Sequence, residues 1–202
     1  MSEFDDLVQR IKTCTLCGLS QTRTTAVPGE GSRTADIMFI GEGPGYYEDR
    51  DGRPFVGPAG KFLDDLLASI DLKRENVYIT NMVKCRPPKN RDPLPTETQA
   101  CQPYLDKQIE MVSPKVVVTL GRFSFSKFFV GDSLSKARGK PRMWRNIMVY
   151  PMYHPAAALH NPKLRPVIES DFVRLRSLIG EATQMPEAEP EAVRSQQLSL
   201  FE

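Results

Sequence analysis

The sequence predicts an α/β fold, a three-layer α/β/α sandwich around a central four-stranded, mainly parallel sheet. Three observations predict it. Four short apolar runs rich in Val, Ile, Tyr and Met recur along the chain, amphipathic helical patterns separate them, and strand-helix alternation requires crossovers that cover both faces of a parallel sheet. With 202 residues, 40% of them apolar, there is material for one sizeable core but not for two. A single domain over 1–180 is expected, then a disordered acidic tail over 181–202.

Taken in order, residues 2–13 read as a helix, with Ser2 and Asp5 as a capping box and Phe4, Leu7, Val8 and Ile11 on one face. It delivers Cys14 and Cys17 at its end. The predicted strands are 36–40, 77–80, 116–120 and 146–150. Phe62, Leu63, Leu66, Leu67 and Ile70 mark one intervening helix, and 123–130 another. Between those two, Cys101, Leu105, Ile109 and Val112 follow a Thr96/Gln99 capping pair. A last helix aligns Ile168, Phe172, Leu175 and Ile179 and is expected to stop at Gly180. The tail sets Pro186 and Pro190 among Glu and Ala, a composition without a core.

In open parallel sheets ligands bind beyond the carboxyl ends of the strands. That rule selects the segments 41–49, 81–91, 153–161 and the loop from Gly121.

No apolar run approaches the roughly 18 residues of a membrane span, and the start MSEFDDLVQRIK is acidic where a signal peptide is basic. A cytoplasmic protein is expected. The formal net charge of +2 conceals an asymmetry: five Glu against Arg194 leave 181–202 at −4 and the body at +6. Basic residues cluster at Lys84, Arg86, Lys89 and Arg91, and at Lys136, Arg138, Lys140, Arg142 and Arg145 around Trp144. Such stretches suit a polyanion, although solvated loops would look the same.

The four cysteines fall as Cys14-x-x-Cys17, Cys85 and Cys101. Without an export signal they read as metal ligands more readily than as disulfides. Zinc and a four-iron cluster both fit four thiolates, and spacing does not separate them from each other. Four unrelated buried cysteines are the bland alternative.

The first predicted strand runs into Gly41-Glu42-Gly43-Pro44-Gly45, a turn that lets backbone amides approach a ligand. Neither a Walker lysine nor the dinucleotide spacing accompanies it. Of the two histidines, His160 reads as structural, whereas His154, at a strand end before Pro155, reads as catalytic.

The glycine turn with Glu48-Asp49, the segment Gly52-Arg53-Pro54-Phe55-Val56-Gly57, the strand end Thr80-Asn81, the cysteine pattern and His154-Pro155-Ala156 together resemble the family 4 uracil-DNA glycosylases. The resemblance spans about residues 5–180. It implies a [4Fe-4S] cluster on Cys14, Cys17, Cys85 and Cys101, and excision of uracil from single- or double-stranded DNA by a monomer. Two positions separate the chain from relatives. His160 stands where many follow the HPxxxL segment with Arg, and residues 131–145 hold no histidine of the kind a covalently trapping relative carries. Turnover is therefore expected.

On that resemblance, Phe55 stacks on the flipped base, and the Asn81 amide accepts from uracil N3–H while donating to O4. Glu48 fills the space beside C5, where thymine carries a methyl. His154, neutral, and the Gly43 amide donate to O2 as charge builds on the leaving uracil. Glu42 orients water, and the two basic stretches hold phosphates. A non-catalytic nucleic-acid-binding module is the competing class, disfavoured because a scaffold has no need of a base-shaped polar pocket.

At the tail's end, Gln197-Leu198-Ser199-Leu200-Phe201 sets three large apolar side chains in an acidic segment. It resembles the peptides that hold the bacterial sliding clamp. Gln197 would hydrogen-bond there, and Leu198, Leu200 and Phe201 would supply the apolar contacts.

Overall fold

The computed structural model describes residues 2–182. Of the expected tail, residues 183–202 with the clamp-like Gln197, Leu198, Leu200 and Phe201 lie outside them, while 181 and 182 close the last helix.

The helix α1 (Glu3–Lys12) carries the expected box: Asp5 N–H donates to Ser2 Oγ and Ser2 N–H to the Asp5 carboxylate. The core sheet contains β2 (Ile37–Gly41), β3 (Tyr78–Asn81), β4 (Val116–Leu120) and β6 (Ile147–Met152), all parallel. These are the four predicted strands, each within two residues of its expected ends. Two short antiparallel strands, β1 (Glu30–Gly31) and β5 (Arg142–Trp144), extend the sheet to six in the order β1-β3-β2-β4-β6-β5. The expected count of four is corrected to that extent. A two-residue bridge and a three-residue exposed hairpin arm lack the apolar run by which a strand is recognised.

The period of two is visible in burial on both faces. Ile37, Phe39, Val116 and Val118 pack against α3 (Pro58–Ala68) and α8 (Arg165–Ala182), whereas Met38, Ile40 and Val117 pack against α1 and α4 (Pro95–Val112). No helix among the described residues is long and apolar enough to cross a membrane.

Three helix expectations change. The helix α4 begins at Pro95, and Glu97, not a Thr96/Gln99 pair, takes the Leu94 N–H (2.8 Å). The segment 123–130 is helical only in α5 (Arg122–Ser126), after which a turn leaves Val130 exposed. The helix α8 runs through Gly180, because a glycine stops a helix only by turning left-handed and Gly180 does not.

Candidate active site

The carboxyl ends of β2, β3 and β6 open into one cleft of about 630 Å³, within the range of small-molecule sites. Its lining includes Glu42, Gly43, Glu48, Phe55, Asn81 and His154, every residue proposed for base handling. The segment from Gly121 reaches the site only indirectly, beneath the His154 Cβ.

Close approach explains the first glycine of the turn. A Cβ on Gly41 would stand 2.4 Å from Asn81 Oδ1 and 2.7 Å from Phe55 Cζ, so only glycine lets these side chains converge. Asn81 is buried at the end of β3, and no protein hydrogen bond occupies its amide among the described residues. The Gly43 N–H likewise finds no protein acceptor among them.

His154 caps α7 (Pro155–His160): its Nδ1 accepts from the Ala156 N–H at 3.1 Å. An accepting Nδ1 carries no proton, so neutral His154 carries it on Nε2. Burial pushes its pKa down from 6.5 to about 4, with the nearby Glu48 charge opposing. The Phe55 ring stacks on the imidazole, centroids 5.4 Å apart and 23° from parallel.

Glu48 is fully engaged. Its Oε1 accepts from Val56 N and Gly57 N, both at 2.8 Å, and its Oε2 from Gly45 N at 3.1 Å. It thereby bolts the start of α2 (Tyr46–Asp51) to the Phe55 segment. Glu42 has no such partners among the described residues, and burial first, then the Asp92 charge, lifts its carboxyl above the ordinary range, with Arg122 opposing.

A second device holds Phe55, and nothing local in the sequence announces it. Phe55 is left-handed (φ 52°), a conformation a bulky residue keeps only when its surroundings impose it. Arg74 imposes it by donating to Phe55 O (3.1 Å) and Pro54 O (2.6 Å). It is itself tied to Asp64 (2.9 Å) and through Nε to Glu30 (2.7 Å). Gly60 leaves the room, since a Cβ there would fall 1.9 Å from Phe55 O.

The basic stretches are only partly a surface. Lys84 is buried, with Nζ bonded to Thr80 Oγ1 (2.6 Å), Asn81 O (2.8 Å) and Gln108 Oε1 (2.6 Å). It braces the base-facing strand end from below and cannot meet a phosphate. Arg91 pairs with Glu97 and Arg138 with Asp171. Arg142 to Arg145 lie along the β5-β6 hairpin, whose turn is at the amino end of β6 and so across the sheet from the cleft. Trp144 packs edge-on against Phe128, 5.0 Å between centroids. His160 is exposed on the cleft rim, and the exposed Leu159 beside it also lines the cleft.

All four cysteines line a separate apolar pocket between the end of α1, the segment after β3 and the first turns of α4. Three sulfurs accept N–H groups: Cys14 from Leu16 (3.5 Å), Cys85 from Arg23 (3.0 Å) and Cys101 from the Lys84 backbone (3.3 Å). Burial pushes the Cys101 thiol up to about 11 and raises that of Cys85, whereas a bound metal would deprotonate the thiols that ligate it. Among the described residues no three of His, Cys, Asp and Glu are grouped as ligands of one metal ion.

Residues 28–174 match the family model of the Uracil DNA glycosylase superfamily. The chain is 50% identical to a type-4 uracil-DNA glycosylase of Sulfurisphaera tokodaii over 188 residues, 88% of this chain and 86% of that relative. It is 47% identical to one of Archaeoglobus fulgidus (90% and 96% covered) and 46% to one of Thermotoga maritima (85% and 92%).

Proposed function

The chain belongs to the uracil DNA glycosylase superfamily, and from that premise we infer the chemistry of its cleft: removal of uracil from DNA as the first step of base excision repair. It is a monofunctional uracil-DNA glycosylase. The observation that carries the reading is an unpartnered Asn81 amide at the floor of a cleft beside a neutral, Nε2-protonated His154.

A base within a duplex is out of reach, so the nucleotide must be extruded at a cost of a few kcal/mol. Asn81 Oδ1 accepts from uracil N3–H and its NH2 donates to O4, while cytosine presents the reverse pattern and leaves both unpaired. Phe55, clamped by Arg74, supports the ring and His154 together. As the C1′–N1 bond breaks, its electron pair goes to uracil and positive charge to the sugar. His154 Nε2–H and the Gly43 N–H donate to the developing O2 anion. Water adds to C1′, and Glu42, the carboxylate not consumed by backbone amides, orients that water and accepts its proton. Glu48, held rigid by three amides, is the wall that the C5 methyl of thymine would have to displace. Leu159, on the rim, is an apolar side chain able to fill the gap left in the base stack.

Cys14, Cys17, Cys85 and Cys101 would hold a [4Fe-4S] cluster. In support, the four sulfurs share one apolar pocket, three of them accepting N–H groups, and the relatives this chain matches over most of its length are type-4 uracil-DNA glycosylases. When bound, the cluster would supply cross-links between three chain segments. A DNA substrate accords with the expected cytoplasmic location. From sequence alone we retain the sliding-clamp reading of Gln197–Phe201, with the enzyme acting as a monomer tethered to DNA.

The test is release of free uracil from a uracil-containing oligonucleotide. Activity on uracil with none on the matching cytosine strand is expected, and no release from either strand would overturn the reading.

A further inference from the structure

Eight large apolar side chains are exposed among the described residues, and five lie outside the cleft lining. The other three, Tyr46, Tyr47 and Leu159, all line the mouth of the uracil cleft. Tyr46 and Tyr47 open α2 and are 54% and 44% exposed, their rings 5.5 Å apart at 82°. An arginine lies over each: Arg86 at 5.2 Å from the Tyr46 centroid and Arg50 at 5.7 Å from that of Tyr47. Arg50 pairs with Asp51, but Arg86 is held by the neutral Asn90 side chain, which leaves its charge for an anion.

The two tyrosines are half-exposed and belong to none of the apolar core clusters of the described residues. They become useful when a flat apolar group covers them, and the cleft, larger than one pyrimidine ring requires, leaves room beside the base. Aromatic rings alternating with cations are how proteins hold single strands, one base face per ring and one phosphate per cation.

We propose that Tyr46 and Tyr47, with Arg86, form a stacking platform for the nucleotide next to the flipped uracil in single-stranded DNA. The proposal rests on the uracil-excision reading. In a duplex the neighbouring base is already stacked and paired, so its face is less available. The platform therefore raises the enzyme's hold on single strands more than on duplexes. Glu48 on the same short helix is engaged by the Gly45, Val56 and Gly57 amides, which hold its carboxylate in place and stabilise its charge.

The experiment measures kcat/KM on short strands carrying uracil between normal neighbours, and on strands with a base-less spacer on the 5′ or the 3′ side. Replacing both tyrosines by Ala should lower kcat/KM on single strands about 5- to 150-fold, with a smaller loss on duplex. Replacing both by Phe should keep it, as should the control Met143→Ala on a remote strand. One spacer should cost the parent a similar factor and cost the double-Ala variant nothing further. Equal spacer losses in parent and variant, or a parent indifferent to both spacers, would overturn the platform. A parent that excises uracil from no strand defeats the excision reading instead.

Discussion

Replacing His154 by Ala tests two consequences of one geometry. Because Nδ1 accepts from Ala156, the imidazole is neutral and presents Nε2–H, and burial holds its pKa near 4 instead of 6.5. A histidine with a depressed value makes the unfolded chain bind more protons between those values. Stability is therefore full above pH 6.5, falls as pH drops through the unfolded value, and stops falling below about 4. Between pH about 8 and about 5.5 the His154 share of that loss is about 1.4 kcal/mol. Urea unfolding of parent and His154→Ala at both pH values isolates it, since the other titrating groups are common to both proteins. The parent should lose about 1.4 kcal/mol more than the variant. In single-turnover excision the variant should be about 100- to 1000-fold slower at either pH while binding DNA within a few-fold of the parent. If the variant matches the parent in rate, or both lose stability equally, then the neutral-donor account fails.

Asn81→Asp should weaken uracil excision at least tenfold and admit some cytosine, since a protonated carboxyl can reverse the donor pattern; undiminished uracil activity would remove Asn81 as the reader. Arg74→Lys should destabilise the fold by about 2–3 kcal/mol and slow excision, because one ammonium cannot bridge Pro54 O, Phe55 O, Asp64 and Glu30 together. Parent-like melting and rate would refute the clamp. The purified protein should be brown from thiolate-ligated iron, and Cys101→Ala should lose colour and thermal stability together; a colourless, fully active protein holding one zinc would refute the cluster. A peptide covering 195–202 should bind a bacterial sliding clamp, and its deletion should leave excision on short oligonucleotides intact. Absence of clamp binding by the full chain at tens of micromolar would end that assignment.

Much of the architecture was legible in the chain. Continuous apolar runs, buried on both faces, announce parallel strands, and the helices between them announce the layers, so strand ends fell within two residues of expectation. The cleft was legible for the same reason: a parallel sheet sends the carboxyl ends of its strands to one edge, and Glu42, Asn81 and His154 each follow such an end. What local pattern could not reveal was how side chains are spent once distant segments meet. Lys84 looked like a surface cation until Thr80 and Gln108 closed around it, and nothing local showed that three amides from two loops take the oxygens of Glu48. Arg74 carried no signal at all, because its partners Glu30 and Phe55 are brought beside it only by β1 pairing with β3 and by α3 packing on the sheet. Sequence thus determined the strands, the helices and the chemical types gathered at the cleft, since these follow from hydrophobic period and from position along one strand. Tertiary structure alone decided which charges are neutralised, which amides remain open to a base and which backbone is held left-handed, because hydrogen bonds and desolvation depend on neighbours that the order of residues does not place side by side.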